Sequence, residues 1–275
     1  MDITATSRSA FRLGDSNPGS VHVSWGGVGR NIAHNLVLMG DDVELVTIFG
    51  GGLFGPVIER SCRELGISTA HSEIAAEGTN SFFVSINNAD GELVGGVADM
   101  NATEGMTPQW LQERLDAVNA ADAVVADANL SPEALAFLID NCKKPLYLDA
   151  VSVAKAPRIA HALGLSGRKS VHALKSNSLE NLVLSYLPGV QIERRYTSLG
   201  AEGLLVEADR QRHEFPALPC IVRNVTGGGD ALLAGIVHAG PSASIEDCAR
   251  WGLECARCAV ESPDAVSDNI KNLKI

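Results

Sequence analysis

Strand-length apolar runs alternate with helix-length patterned runs along most of this chain, and no other feature of the sequence limits its fold as strongly. The runs at residues 43–49, 123–127, 145–149 and 203–206 have strand length. Between and after them, residues 31–39, 55–65, 107–119, 132–142, 230–238 and 245–260 repeat apolar positions with helical period. Strand then helix, repeated, predicts an α/β protein with a doubly wound, mostly parallel sheet flanked by helices on both faces. Asp127 and Asp149 close two of the strands, at the edge where such sheets take ligands. One region breaks the rhythm: residues 79–94 read as a hairpin turning at Asn88-Ala89-Asp90-Gly91. With a further strand at 21–25 it predicts a small antiparallel β lid.

Composition matters for what the fold can serve. With 275 residues, 45% of them hydrophobic, the chain can bury a core as a single large domain. A formal charge of −11 and a pI near 5.1 argue against nucleic acid or an anionic membrane as partner, while leaving room for a local anion pocket. A small molecule fits better. The start shows no basic region followed by an apolar stretch, and no later run has membrane-span length, so the expected location is cytoplasmic. Six cysteines are too sparse for a disulfide framework. Cys255-Ala256-Arg257-Cys258, with Cys248 upstream, has half the spacing of a zinc site but no second ligand pair, and helix packing is the expectation.

Two glycine clusters carry the chemistry. Asn224-Val225-Thr226-Gly227-Gly228-Gly229-Asp230 runs straight into an apolar helix. Glycines without Cβ let backbone N–H groups turn toward an anion, and the positive end of the helix dipole lies behind them. A carboxylate at the first turn of a buried helix is costly without a task, so Asp230 is a candidate general base; an ordinary first-turn aspartate favoured by the dipole is the alternative. The other cluster is Gly26-Gly27-Val28-Gly29-Arg30-Asn31-Ile32-Ala33. As a dinucleotide fingerprint it fails: Ile32 holds the third glycine position, and the next strand ends without an acid to hold a ribose. A Gly-Lys-Ser/Thr loop is absent too.

Together these segments resemble the PfkB (ribokinase-like) family of carbohydrate and nucleoside kinases, across nearly the whole chain. The segment from Gly26 resembles the family's first signature and residues 224–235 its second, with Gly228 where alanine is usual. Lys175-Ser176-Asn177-Ser178-Leu179-Glu180 is similar to its Asn-x-x-Glu element, and Ser198-Leu199-Gly200-Ala201-Glu202-Gly203 to its loop beside the nucleotide. Asp15-Ser16-Asn17-Pro18-Gly19, residues 27–33 and Asp99-Met100-Asn101 look like the pseudouridine kinase branch.

The resemblance implies ATP-dependent phosphorylation of the pseudouridine 5′-hydroxyl. Asp230 would be the base, and Gly227, Gly228 and Gly229 the anion-binding donors. The sugar or nucleoside would meet Asp2, Asp15, Asn17, Gly26, Gly27, Asn31 and Asp99. Ser198, Gly200, Gly203 and Thr226 would hold the nucleotide, and Asn177 and Glu180 a Mg2+ ion through water. K+ is a further candidate cofactor, and a homodimer through the lid a candidate assembly. From position alone Asp2 reads as a solvated terminus. Compared with the family, the chain begins after an apolar first strand, and residues 181–197 form a short segment where two helices and a strand are usual. Those departures leave two competing expectations: a non-catalytic binder, and a PfkB kinase for another nucleoside or sugar.

Overall fold

The computed structural model of the protein describes residues 1–79, 81–168, 170–184 and 191–275. The chain opens with β1 (Asp2–Ser7) and β2 (Gly19–Ser24), then α1 (Val28–Met39), β3 (Ile48–Phe49), α2 (Phe54–Glu64) and β4 (Glu73–Ile74). The hairpin β5 (Phe82–Asn87) and β6 (Leu93–Asp99) precedes three short helices, α3 (Asn101–Glu104), α4 (Pro108–Gln112) and α5 (Leu115–Ala120). Then the α/β alternation runs through β7 (Val124–Asp127), α6 (Pro132–Asn141), β8 (Leu146–Asp149), α7 (Pro157–Leu165), β9 (Ser170–Asn177), α8 (Ser178–Leu184) and β10 (Gln191–Ser198). Finally β11 (Leu204–Ala208) and β12 (Gln211–Phe215) lead to α9 (Gly228–Ala239) and α10 (Ile245–Val260).

The main sheet has the order β12-β11-β10-β9-β8-β7. Strands β7 to β10 are parallel, and β11 and β12 add an antiparallel edge. Side-chain alternation sorts its residues between two cores. Leu146 and Leu148 of β8 join Leu135 and Ile139 of α6 and Ile159 and Leu163 of α7. Tyr147 points the other way, into a cluster with Tyr196, Leu204, Leu233 and Ile236 beneath α1 and α9. Helix α9 is mostly buried because α1 and α10 cover it, and Gly235 lets it meet α10: a Cβ there would lie 2.4 Å from the Trp251 carbonyl oxygen.

The second sheet is the lid, ordered β2-β1-β5-β6. It has four strands, one more than the predicted positions within 15–26 and 79–98 supply. The extra one is β1, which pairs antiparallel with β2 and parallel with β5, so the lid is not purely antiparallel. The turn falls at residues 88–91, where the Gly91 N–H donates to the Asn88 carbonyl. Register puts Asp2, Thr4, His22, Ser24, Phe83 and Ser85 on one face and Ile3, Ala5, Val21, Val23, Val84 and Val97 on the other.

Two expectations change in detail. The run at 43–49 forms only β3, paired with β4, and a bridge from Glu44 to Ser68. No ladder joins it to β7 among the described residues, although Leu45 and Asp127 both approach Gly29. The helix expected at 107–119 breaks between α4 and α5 at Arg114, whose guanidinium stacks 3.7 Å from the Trp110 ring and bonds the His71 carbonyl. The predicted C-terminal helix matches α10, and Cys248, Cys255 and Cys258 are buried in its packing. Of the short stretch before Ser198, residues 185–190 lie outside the described residues.

Candidate active site

Three neighbouring parallel strands carry charge at or near their C-terminal ends. Asp127 pairs in register with Asp149, and Asp149 with Lys175. By alternation Asp149 shares the side of Tyr147, and Lys175 that of Ala173, so the row lies on the α9 side of the sheet. Lys175 is 7% exposed, and its Nζ is 3.0 Å from Asp149 Oδ2.

The start of α9 sits over this row. Gly227 takes a left-handed φ of 83°, and a Cβ would fall 2.0 Å from the Ala265 carbonyl oxygen, so glycine alone fits. A Cβ on Gly229 would lie 2.6 Å from Lys175 Nζ. Among the described residues the N–H groups of Gly227, Gly229 and Asp230 have no protein acceptor, as expected at the first turn of a helix. The turn is thus open to an anion, with an ammonium below it.

Asp230 stands at the end of this turn, and its Oδ2 accepts a hydrogen bond of 2.9 Å from Asn31 Nδ2 on α1. Burial, and then the Asp149 charge, push its carboxyl up to about 7; Lys175 and the Asn31 bond pull against that rise. Burial alone would lower Lys175, but Asp149, then Asp230 and Glu180, outweigh it and hold the ammonium charged. Asp127 is raised by burial, with hydrogen bonds from Asn129 opposing. A carboxylate tuned near neutrality beside an anion site has the properties of a general base.

The other glycine turn faces a carboxylate. A Cβ on Gly26 would fall 1.7 Å from Asp2 Oδ2, so the Asp2 side chain lies directly on that backbone. Asp2 is no frayed end: it opens β1 in register with Ser24 and Phe83, and burial raises its carboxyl. Gly27, with φ 110°, leads into α1 and so toward Asn31. Asp2, Gly26, Gly27 and Asn31 thus join Asp230 at one place. Asp99 ends β6 at the same end of the lid, on the opposite face by register. Asp15 and Asn17 do not gather with them. They lie in the β1–β2 loop, about 17 Å from Asp2 along β1 at ~3.4 Å per residue. There Asn17 bonds Arg12 through both its side-chain atoms and Asp15 caps the Ser16 N–H.

Asn177 ends β9 and caps α8. Its Oδ1 accepts from the Glu180 N–H at 2.9 Å, while the Glu180 carboxylate accepts from the Asn177 N–H and Nδ2, each at 2.8 Å. This is a capping box with a buried acid. Each Glu180 oxygen keeps a second lone pair, so the pair fits a magnesium ion held through water rather than by direct ligation. Ser198 ends β10 in register with Asn177, and Gly200 and Gly203 turn beyond it. Thr226 is exposed at the entry to the α9 turn, its N–H bound to Asn224 Oδ1.

In the sequence Asp149 is legible only as a strand end, and Lys175 only as the first residue of the segment that holds Asn177 and Glu180. The available signal was weak: Asp149 closes an apolar strand, while Lys175 interrupts one.

The pfkB family carbohydrate kinase profile matches residues 1–272. The chain belongs to this family. Pseudouridine kinase of Escherichia coli (strain K12) is 30% identical over 253 residues, 86% of this chain and 79% of that protein. A protein of the same strain described as an uncharacterized sugar kinase is 28% identical, covering 99% of this chain and 80% of its own length. The structure of Arabidopsis thaliana ribokinase complexed with ribose and ATP matches with a TM-score of 0.85 at 16% identity, covering 99% of this chain and 96% of that one. The pfkB-family protein is therefore a ribokinase-like phosphotransferase with an alcohol acceptor, a sugar or nucleoside kinase that uses ATP. No helix among the described residues is long and apolar enough to cross a membrane.

Proposed function

We propose that this kinase phosphorylates the 5′-hydroxyl of pseudouridine, giving pseudouridine 5′-phosphate. The observation that carries the reading is the hydrogen bond from Asn31 to Asp230, which ties the carboxylate turn at Gly26 to the anion turn at Gly227. A ribose held by Asp2 and Asn31 brings its free hydroxyl to Asp230, while the γ-phosphate sits on the N–H groups of Gly227, Gly229 and Asp230; the Gly228 N–H, expected as a third glycine donor, points to the Val225 carbonyl at 3.4 Å instead. Asp230 takes the hydroxyl proton as the oxygen attacks phosphorus, and the donors at the helix start stabilise charge on the transferring group. Glu180 and Asn177 would hold a Mg2+ ion through water, and the ion would supply positive charge to offset that of the phosphates. Ser198, Gly200, Gly203 and Thr226 line the nucleotide side, and Gly27 and Asp99 border the nucleoside.

The similarity to pseudouridine kinase and the motifs at 15–19, 27–33 and 99–101 favour pseudouridine. The relative described as an uncharacterized sugar kinase supports a second reading, another nucleoside or a free sugar as acceptor. Asp15 and Asn17 contribute by shaping the lid loop. Val21, 69% exposed, and Val97, 70% exposed, leave an apolar lid face that suits a second copy of the chain. K+ activation remains part of the proposal.

ADP release with pseudouridine, uridine and ribose, with and without K+, tests this. Pseudouridine is expected to give the highest kcat/KM. Turnover on ribose or uridine at ten times that rate would overturn the substrate assignment, and sedimentation of a monomer at micromolar concentration would overturn the dimer.

A further inference from the structure

We propose that Arg30 is a positioning residue for the acceptor, a clamp that ties the Gly26-Gly27 turn to α2 and so fixes the seat of the Asp2 carboxylate. The proposal rests on the reading of Asp2 as the sugar-binding acid and adds a residue to it. Its starting point is a cation at the wrong end of a helix. Arg30 is the third residue of α1, where the dipole disfavours positive charge, and no acid in that first turn offsets it. The side chain is half-buried, and its Nε is buried without a partner. Among the described residues no carboxylate lies within ion-pair distance of it. A guanidinium kept there against both dipole and desolvation is unexplained by charge pairing.

Its hydrogen bonds supply the explanation. Nη1 donates to the Trp25 carbonyl, immediately before Gly26, and Nη2 reaches Ser61 Oγ on α2 at 3.4 Å. Ser61 Oγ gives its own proton to the Ile58 carbonyl at 2.7 Å, which leaves it an acceptor for the guanidinium. The planar fork thus spans from the turn to the next helix, a geometry that an ammonium does not reproduce. The turn needs this outside hold. Gly26 and Gly27 have no side chains to anchor them, and Gly27, with φ 110°, gives α1 no side-chain cap. What the clamp holds is the floor beneath Asp2: Oδ2, Cγ and Oδ1 would lie 1.7, 2.4 and 2.9 Å from a Cβ on Gly26. Any drift of residues 25–26 therefore moves the carboxylate. Burial raises the Asp2 carboxyl, and the Met1 amino group and then Arg30 oppose that rise, which favours the charged form that accepts from sugar hydroxyls. Helix α1 is held separately by its packing on α9, so loss of the clamp should free the turn and leave Asn31 in place.

Calorimetry of pseudouridine, uridine and ribose on the whole protein tests this, with MgATP as the control ligand. Arg30→Met is expected to weaken the acceptor that the wild type binds best by about tenfold, the scale of one charge-assisted hydrogen bond, while MgATP affinity and kcat at saturation stay within about threefold. Arg30→Lys keeps the charge but not the fork and should rescue only part of that loss. In the Asp2→Asn background Arg30→Met should cost less than about twofold more, because it acts through Asp2. An acceptor Kd for Arg30→Met within about twofold of wild type, a parallel loss of MgATP, or a loss that multiplies with that of Asp2→Asn would each overturn the proposal. If Arg30→Met fails to fold, Arg30→Lys and Ser61→Ala, which removes only the far anchor, decide it: each should weaken the acceptor by about two- to threefold, and neither should do so in the Asp2→Asn background. Asp2→Asn alone separates the two readings. If it leaves the acceptor Kd unchanged, the sugar-site assignment fails and the clamp loses its role; if it weakens binding and Arg30→Met does not, only the clamp fails.

Discussion

The two glycine turns of this kinase are built alike and charged oppositely. Each opens a helix, α1 or α9, on a glycine with positive φ, and the two helices pack against each other. At the first turn, Gly26 makes room for the Asp2 carboxylate; at the second, Gly229 makes room for the Lys175 ammonium. One backbone device therefore serves two ligand chemistries: a carboxylate suits the hydroxyls of a sugar, while an ammonium with free N–H groups suits phosphate. The Asn31–Asp230 bond joins them, and in the proposed reaction the hydroxyl and the phosphoryl group meet there. Neither turn alone defines a kinase; their opposition does.

Breaking the joint should have the largest effect. Asp230→Asn is expected to lower kcat about 10²- to 10⁴-fold in a coupled ADP assay. The same change should stabilise the fold at alkaline pH. The folded state raises this carboxyl from 3.8 to about 7, so the cost of ionising it is absent below the unfolded value and complete above the folded one. Thermal melts should show Asp230→Asn gaining up to about 4 kcal/mol at pH 8, at ~1.4 kcal/mol per unit, and nothing near pH 3. Equal melting temperatures at both pH values would contradict the buried-base account.

Alanine at the turns should separate them. Gly227→Ala places a Cβ against a backbone carbonyl at positive φ, and a loss of at least about 2 kcal/mol is expected in denaturant titrations. Gly26→Ala meets a side chain instead. It should leave the fold intact and displace Asp2, weakening nucleoside binding about tenfold to a hundredfold, by analogy with losing one charged hydrogen bond, while MgATP binding holds. A parallel loss of both ligands would merge the two turns into one structural unit. A finer probe is pH: kcat/KM for the nucleoside should rise as pH passes about 7. Asn31→Ala removes a bond that lowers the Asp230 value, so its profile should move to higher pH. The smallest effect is expected at the far lid loop. Asp15→Ala and Asn17→Ala should change the nucleoside KM by less than about twofold, given a separation of roughly 17 Å along β1.

What could be read in the chain depended on local pattern. Helix α10 was legible because its helical period is sequence-local, and the α9 turn because its glycines are contiguous. Strand β9 was not, since Lys175 and Ser176 interrupt its apolar run; their burial makes sense only beside Asp149. Strand β1 escaped notice for a similar reason. Its residues are polar on one side, and pairing with β2 and β5, far apart in sequence, makes it a strand. The Asn-x-x-Glu spacing suits a helix cap as readily as the metal element that the resemblance implies, and the structure shows the cap, as a capping box.

The sequence by itself determined the α/β alternation, the two glycine turns, Asp230 as the candidate base and the family resemblance, because each is written in contiguous residues. Only the tertiary structure decided which charges meet. Lys175 reaches Asp149 and Gly229, Asn31 reaches Asp230, and Asp2 lies on Gly26, while Asp15 and Asn17 stay apart. Such meetings depend on strand register and helix packing, which bring distant residues within hydrogen-bond range and leave no trace in local spacing.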